Sequence, residues 1–236
     1  MSISENVSRI RRQIRSAAIA AGRDPDAIKL CAATKMNDAA AVREAIAAGV
    51  DICGENRVQE LLQKQAEHAY DGCPLHFIGH LQTNKVRQIV GQVELIHSVD
   101  RMKLLRAIDA EAAAQGIRQD ILLQVNIGNE ESKGGFQPEE IPEIVNSFHA
   151  FPNICLRGLM AIPPICQIPG GNRKFFQEMY NLSVDITRKK SDNVCVDTLS
   201  MGMSEDFDDA IACGSTMIRI GTAIFGPRDY TMPHQK

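Results

Sequence analysis

The sequence predicts a single (β/α)8 barrel over residues 1–236, preceded by an N-terminal helix, on three observations. Eight short apolar runs alternate with amphipathic, helix-compatible segments once the first helix is passed. The length of 236 residues is close to the roughly 250 that such barrels use as one unit. The turn after the first strand, Thr34-Lys35-Met36-Asn37, lacks the glycine-rich fingerprint of a doubly wound open sheet, the competing arrangement.

The helix is expected over about residues 3–21, because Ile3, Val7, Ile10, Ile14 and Ala17/Ala18 recur at helical spacing behind the capping-box sequence Ser2-Ile3-Ser4-Glu5. Strands are expected at 28–35, 51–54, 75–79, 94–99, 120–127, 154–162, 196–201 and 217–221. Every gap between them except the last holds a helix-compatible segment. The stretch from Pro163-Pro164 to Pro169-Gly170-Gly171 reads as an irregular loop after the sixth strand, and residues 227–236 as a short tail.

With 44% hydrophobic and 23% charged residues and no long apolar stretch, the composition is that of a soluble globular protein without a membrane span. A net charge of -3 gives no electrostatic footprint for nucleic acid. The basic cluster from Arg9 to Arg15 lies on the patterned helix, where Glu5 and the cap argue against a transit peptide. Seven cysteines, at 31, 53, 73, 155, 166, 195 and 213, form no CxxC pair and have no histidine at metal-ligand spacing. They read as reduced thiols of a cytoplasmic protein, with no metal site expected.

In a barrel the chemistry sits where the strands end, so those residues are the ones to examine. The first strand ends in Lys35. A lysine there is close to any bound ligand and, when desolvated, has a lowered pKa that prepares it for Schiff-base formation; the alternative is a lysine that caps a strand and points to solvent. Barrels often hold a phosphate between the loops after strands seven and eight, and Ser200, Gly202, Gly221 and Thr222 have the composition for one. The alternative there is tight-turn glycines with hydroxyls as helix caps, such as Ser204 before Glu205 and Asp206. A phosphate opposite a Schiff-base lysine describes pyridoxal 5'-phosphate. Alternation along Met217-Ile218-Arg219-Ile220-Gly221 turns Arg219 to the barrel interior, where its partner is either an inward carboxylate such as Glu55 or the pyridine nitrogen of that cofactor. The same alternation puts Cys31, Ala33 and Lys35 on one face of strand one, and small neighbours there leave room for a ring. His76, His80 and His97 read as satisfied core or loop residues. Glu130-Glu131-Ser132-Lys133-Gly134-Gly135 reads as a solvated loop, with Lys133 on the mouth side.

Several longer motifs then resemble one family. Ala33-Thr34-Lys35, Gly54-Glu55-Asn56-Arg57-Val58-Gln59-Glu60, His76-Phe77-Ile78-Gly79, Leu81-Gln82-Thr83-Asn84-Lys85, Gly158-Leu159-Met160-Ala161-Ile162-Pro163, Leu199-Ser200-Met201-Gly202-Met203-Ser204 and the run from Gly214 to Gly226 are similar to the pyridoxal-phosphate homeostasis proteins. The resemblance covers nearly the whole chain. It implies a barrel like the N-terminal domain of alanine racemase, with Lys35 as the aldimine lysine, Ser200, Gly221 and Thr222 at the phosphate, Arg219 at the pyridine nitrogen, and Asn56 and Met160 lining the ring pocket. Two positions depart from the family pattern: Cys53 stands where an aromatic is more frequent, and His80 where proline is.

The resemblance implies a cofactor-binding protein without catalysis of its own, which keeps free pyridoxal phosphate in balance and supplies it to apo enzymes. The competing class is an amino-acid racemase, which needs a second base opposite the lysine. In alanine racemase that base comes from a separate C-terminal domain, for which the sequence beyond Gly226 leaves no room, and Tyr230 is an unsuited substitute. A monomer is expected, with no nucleic-acid or membrane partner.

Overall fold

The computed structural model describes residues 1–130, 133–166, 168, 170–188 and 192–226. The expected tail, with Tyr230, lies outside the described residues.

Eight parallel strands close into a barrel in sequence order: β1 (Lys29–Ala33), β2 (Ile52–Glu55), β3 (Leu75–Phe77), β4 (Leu95–Val99), β5 (Gln119–Val125), β6 (Ile154–Ala161), β7 (Val194–Ser200) and β8 (Met217–Ile220). The predicted (β/α)8 architecture is therefore the observed one. Closure is made by β1 on β8, with Cys31 opposite Arg219. All eight expected strands are present, each differing from expectation by one or two residues at one end or both. The first stops at Ala33, so Lys35 lies in the turn beyond it rather than on the strand.

The helices are α1 (Ile3–Ala20), α2 (Ala39–Ala47), α3 (Val58–Ala66), α4 (Met102–Gln115), α5 (Ile141–Asn146), α6 (Arg173–Thr187), α7 (Phe207–Ala212) and α8 (Thr222–Phe225). Two gaps depart from expectation. The last gap does hold a helix, α7, whose Phe207, Ala210 and Ile211 are buried at i, i+3 and i+4 behind an acidic first turn. The gap between β3 and β4 holds only a 3-10 segment, Thr83–Gln88, which buries Val86 alone.

Alternation sorts the side chains. Leu30 and Ala32 of β1 and Ile218 and Ile220 of β8 face outward into a cluster with Val7, Ile10, Ile14 and Ala18 of α1. Cys31, Ile52, Ile78 and Met217 pack inside the barrel, as do Leu95, Leu122 and Met160. The N-terminal helix has the expected capping box, with Glu5 N–H donating to Ser2 Oγ and Ser2 N–H to Glu5 Oε2. It packs against α2, α7 and α8. Because α8 has only four residues, α1 covers the outer face of the β8–β1 seam that a full-length eighth helix would otherwise cover. Among the described residues no helix is long and apolar enough to cross a membrane.

That role makes α1 part of the core. Truncating fully buried Ile10 to alanine is expected to cost about 2–5 kcal/mol of unfolding free energy in a urea titration, whereas Arg12→Ala on the exposed face changes it by less than about 0.5 kcal/mol. Equal effects of the two would show that the helix is not docked.

Candidate functional site

The turn that carries Lys35 is held from beneath by a buried ion pair. Glu55, at the end of β2, is fully buried, and its carboxylate accepts four hydrogen bonds. Lys64 Nζ donates at 2.7 Å, Thr34 Oγ1 at 3.0 Å and Tyr70 Oη at 3.2 Å to Oε2, while Asn56 N–H donates at 2.7 Å to Oε1. Lys64, from α3, also donates to the Thr34 carbonyl at 2.7 Å and sits 3.4 Å from Glu60. Glu60 in turn accepts from Met36 N–H at 2.7 Å. The backbone is thus tied down on both sides of Lys35. Met36 needs that restraint, because its φ of 61° is left-handed and unfavourable for a residue with a side chain. Asn37 Nδ2 adds a bond to the Lys35 carbonyl at 2.9 Å. Lys35 itself is half-buried.

Of the two partners offered for Arg219, the structure removes the inward carboxylate Glu55. Ile52 and Gly54 face the interior, so Glu55 shares the outward face with Cys53 and meets α3 instead. The alternation of Ile52-Cys53-Gly54-Glu55 carried that signal. Lys64 was overlooked altogether, although its i, i+4 spacing from Glu60 is legible in the sequence.

Beyond Glu55 the chain turns at Asn56, whose side-chain Oδ1 is buried and has no hydrogen-bond partner among the described residues. A buried unpaired carbonyl is costly and marks a place where a ligand donor fits. Gly79, two residues beyond β3, passes so near that a Cβ there would lie 2.1 Å from the Asn56 carbonyl oxygen. Met160 is buried inside the barrel against Leu95 and Leu122.

Arg219 is inside the barrel and 5% exposed, on the expected face. Its Nη1 donates to the Ser200 carbonyl at 2.8 Å and to Ser200 Oγ at 2.6 Å, and Nη2 donates to the Ala161 carbonyl at 2.9 Å. Among the described residues no carboxylate bonds to it, and burial pulls its pKa down to about 10. Ser200 is fully buried, and its hydroxyl also bonds His97 Nδ1 at 3.1 Å, so in this arrangement it is engaged below the mouth. His97 Nε2 lies 2.9 Å from His76 Nδ1. Burial holds the His76 pKa at about 4, and burial, His76 and Arg219 together hold that of His97 well below the ordinary histidine value. These two histidines are satisfied core residues, but by one another, across strands that sequence distance had kept apart.

The turns after β7 and β8 lie on neighbouring strands. Gly221 precedes α8 and Thr222 begins it. Ser204 is not a helix cap, since α7 starts after Asp206; its half-exposed hydroxyl makes no hydrogen bond among the described residues. His80 is exposed on the loop after β3 and pairs with Asp100 at 3.3 Å. Lys133 bonds the Pro163 carbonyl at 3.0 Å and pairs with Glu130, beside a cavity of about 130 Å³. Among the described residues no cluster of histidine, cysteine and acidic side chains could hold a metal ion.

Barrel and site together define a class of protein: the family model described as the alanine racemase N-terminal domain matches residues 3–229. A solved alanine racemase from Streptomyces coelicolor shares the fold, with a TM-score of 0.74 at 17% identity, and the match covers 96% of this chain and 58% of that one. A protein of Pseudomonas aeruginosa named pyridoxal phosphate homeostasis protein is 44% identical over 231 residues, 98% of both chains. The structure of PipY from Synechococcus elongatus, described as having PLP bound, matches with a TM-score of 0.79 at 32% identity, over 95% of this chain and all of that one. The chain belongs to the pyridoxal phosphate homeostasis protein family.

Two outcomes follow from the geometry. Lys64→Met leaves the Glu55 carboxylate buried without its cation, and chemical denaturation is expected to show a loss of roughly 3–5 kcal/mol, partly recovered in the Glu55→Gln/Lys64→Met pair. A loss below about 1 kcal/mol would show that the brace is not coupled to folding. The second concerns acid. His76 has a folded pKa of about 4 against about 6.5 unfolded, so the unfolded chain binds more protons between those values. Stability is full above pH 6.5 and is lost as pH falls through 4, by up to about 3 kcal/mol from this group. His76→Leu is expected to flatten that part of a stability-versus-pH curve; an unchanged slope would show that His76 does not titrate there.

Proposed function

We propose that this protein binds pyridoxal 5'-phosphate and holds it in cofactor homeostasis, without turning over a substrate of its own. The observation that carries the reading is Arg219, a buried cation with no carboxylate and with N–H groups to spare. The unpaired Asn56 Oδ1 and the unbonded Ser204 hydroxyl add two polar groups that fit the same ligand. The names of the relatives and the cofactor described in PipY support it.

When bound, the cofactor supplies an aldehyde that condenses with a primary amine. Lys35 is the amine for it, on a turn kept in one conformation by Glu55, Lys64 and Glu60. Asn56 and Met160 line the ring. Arg219 donates to the ring nitrogen and keeps it unprotonated, which weakens the ring as an electron sink and disfavours carbanion chemistry. Gly221 and Thr222 hold the phosphate through their backbone, with the Ser204 hydroxyl beside them, and Ser200 serves from below by bonding Arg219. Release to apo enzymes in the cytoplasm, from a monomer, completes the reading; the seven free thiols suit a reducing compartment.

Borohydride reduction of the loaded protein is expected to trap the cofactor on the peptide containing Lys35, and Lys35→Ala to lose the adduct. Ser204→Ala is expected to weaken pyridoxal phosphate binding about tenfold and pyridoxal binding little, as one charge-assisted hydrogen bond is removed. Loaded protein incubated with amino acids in deuterium oxide is expected to leave Cα protons in place. Sustained Lys35-dependent exchange at Cα would mean a racemase-type activity instead, and full adduct formation in Lys35→Ala would end the assignment of that lysine.

A further inference from the structure

Four side chains from four strands form one hydrogen-bonded line through the barrel: His76 of β3, His97 of β4, Ser200 of β7 and Arg219 of β8. We infer that His97 and His76 are positioning residues, which fix the Ser200 hydroxyl as an acceptor for Arg219 and so keep the free N–H groups of the guanidinium available to the cofactor's ring nitrogen. The inference deepens the proposed function and rests on it for the identity of the ring.

The direction of the line follows from donors and acceptors. A guanidinium only donates, so Ser200 Oγ accepts from Arg219 Nη1 and must place its own proton elsewhere. Among the described residues the only other group bonded to that oxygen is His97 Nδ1. If His97 carried its proton on Nδ1, two donors would face one hydroxyl, and the buried hydroxyl proton would have no acceptor. His97 must therefore present a bare Nδ1 and carry its proton on Nε2, which donates to His76 Nδ1 at 2.9 Å. The tautomer of His97 is thus set from the Arg219 end, and His76 supports it by presenting a bare Nδ1 as acceptor. Burial keeps both rings neutral, as this order requires.

Arg219 depends on this order because among the described residues no carboxylate bonds to it, and its hydrogen bonds all go to neutral acceptors. Of its five N–H donors, three go to the Ser200 carbonyl, Ser200 Oγ and the Ala161 carbonyl; the other two make no hydrogen bond to the described residues. One of the three acceptors is a hydroxyl, which could rotate its proton toward the guanidinium were His97 not holding it. Leucine would fill the interior positions of His76 and His97 at less cost in desolvation, as Leu95 and Leu122 do beside them. The polar line is retained where it ends on Arg219.

The test has a part that needs no cofactor. Nitrogen-15 NMR of histidine-labelled apo protein at neutral pH is expected to show His76 and His97 both neutral, each protonated on Nε2 and bare on Nδ1. His97 protonated on Nδ1, or charged, overturns the relay whatever the protein binds. The second part titrates pyridoxal phosphate and its 1-deaza analogue, in which carbon replaces the ring nitrogen. His97→Phe is expected to weaken pyridoxal phosphate about tenfold and the analogue less than twofold, and His97→Gln, whose amide oxygen can accept the serine proton, to restore most of the loss. Equal weakening of both compounds makes His97 merely structural and overturns the inference. Equal affinity of the wild type for the two compounds instead removes Arg219 from the ring nitrogen, which is a failure of the proposed function, and the NMR result still decides the relay. Should His97→Phe fail to fold, the tautomers and His76→Leu carry the same comparison.

Discussion

The Glu55 carboxylate is fully buried, and the local structure around Lys35 depends on the ammonium that neutralises it. An unpaired buried carboxylate would be expelled or protonated, so Lys64 must fold in behind β2 for the strand to end where it does. Once there, the pair has bonding capacity left over. Lys64 spends it on the Thr34 carbonyl, Glu55 on Thr34 Oγ1 and the Asn56 amide, and Glu60 on the Met36 amide. Two turns that belong to different strands are thereby fixed relative to one another. A hydrophobic replacement of the pair could stabilise the barrel equally well, but it could not orient these backbone groups.

A second polar system runs through the barrel interior, and it obeys a different rule. Among the described residues the hydrogen bonds of Arg219 all go to neutral acceptors, so its charge is solvated by dipoles and makes no direct ion pair. Such a site is less stable than a paired one, and its pKa of about 10 reflects the cost. Ions in barrel interiors are usually paired off; here the charge is left available at the inner side of the site. The two systems occupy opposite faces of the sheet, one between β2 and α3 and one inside the barrel, so they do not compete for partners.

The short eighth helix shows a third economy. With α8 reduced to four residues, the seam between β8 and β1 would be open to water, and α1 closes it with Val7, Ile10, Ile14 and Ala18. The strands that carry Arg219 and precede Lys35 are the ones this helix covers, which links the start of the chain to the integrity of the site.

The sequence by itself determined the barrel, because alternating apolar runs and helical periods are local patterns that no tertiary contact is needed to produce. It determined the inward face of Arg219 for the same reason, since strand alternation is a property of the backbone. It also located Asn56, Gly221 and Thr222 at strand ends. Tertiary structure alone decided who bonds to whom. Glu55 was one of two candidate partners for Arg219; strand alternation already sets it on the face opposite Gly54, and the packing of Ile52 inside the barrel fixes which of those faces is interior. Ser200 meets His97, and His97 meets His76, across 103 and 21 residues of sequence, distances at which a histidine carries no mark of its partner. Hydrogen bonds of that kind depend on how a closed sheet brings strands around to one another, and that closure is written in no single stretch of chain.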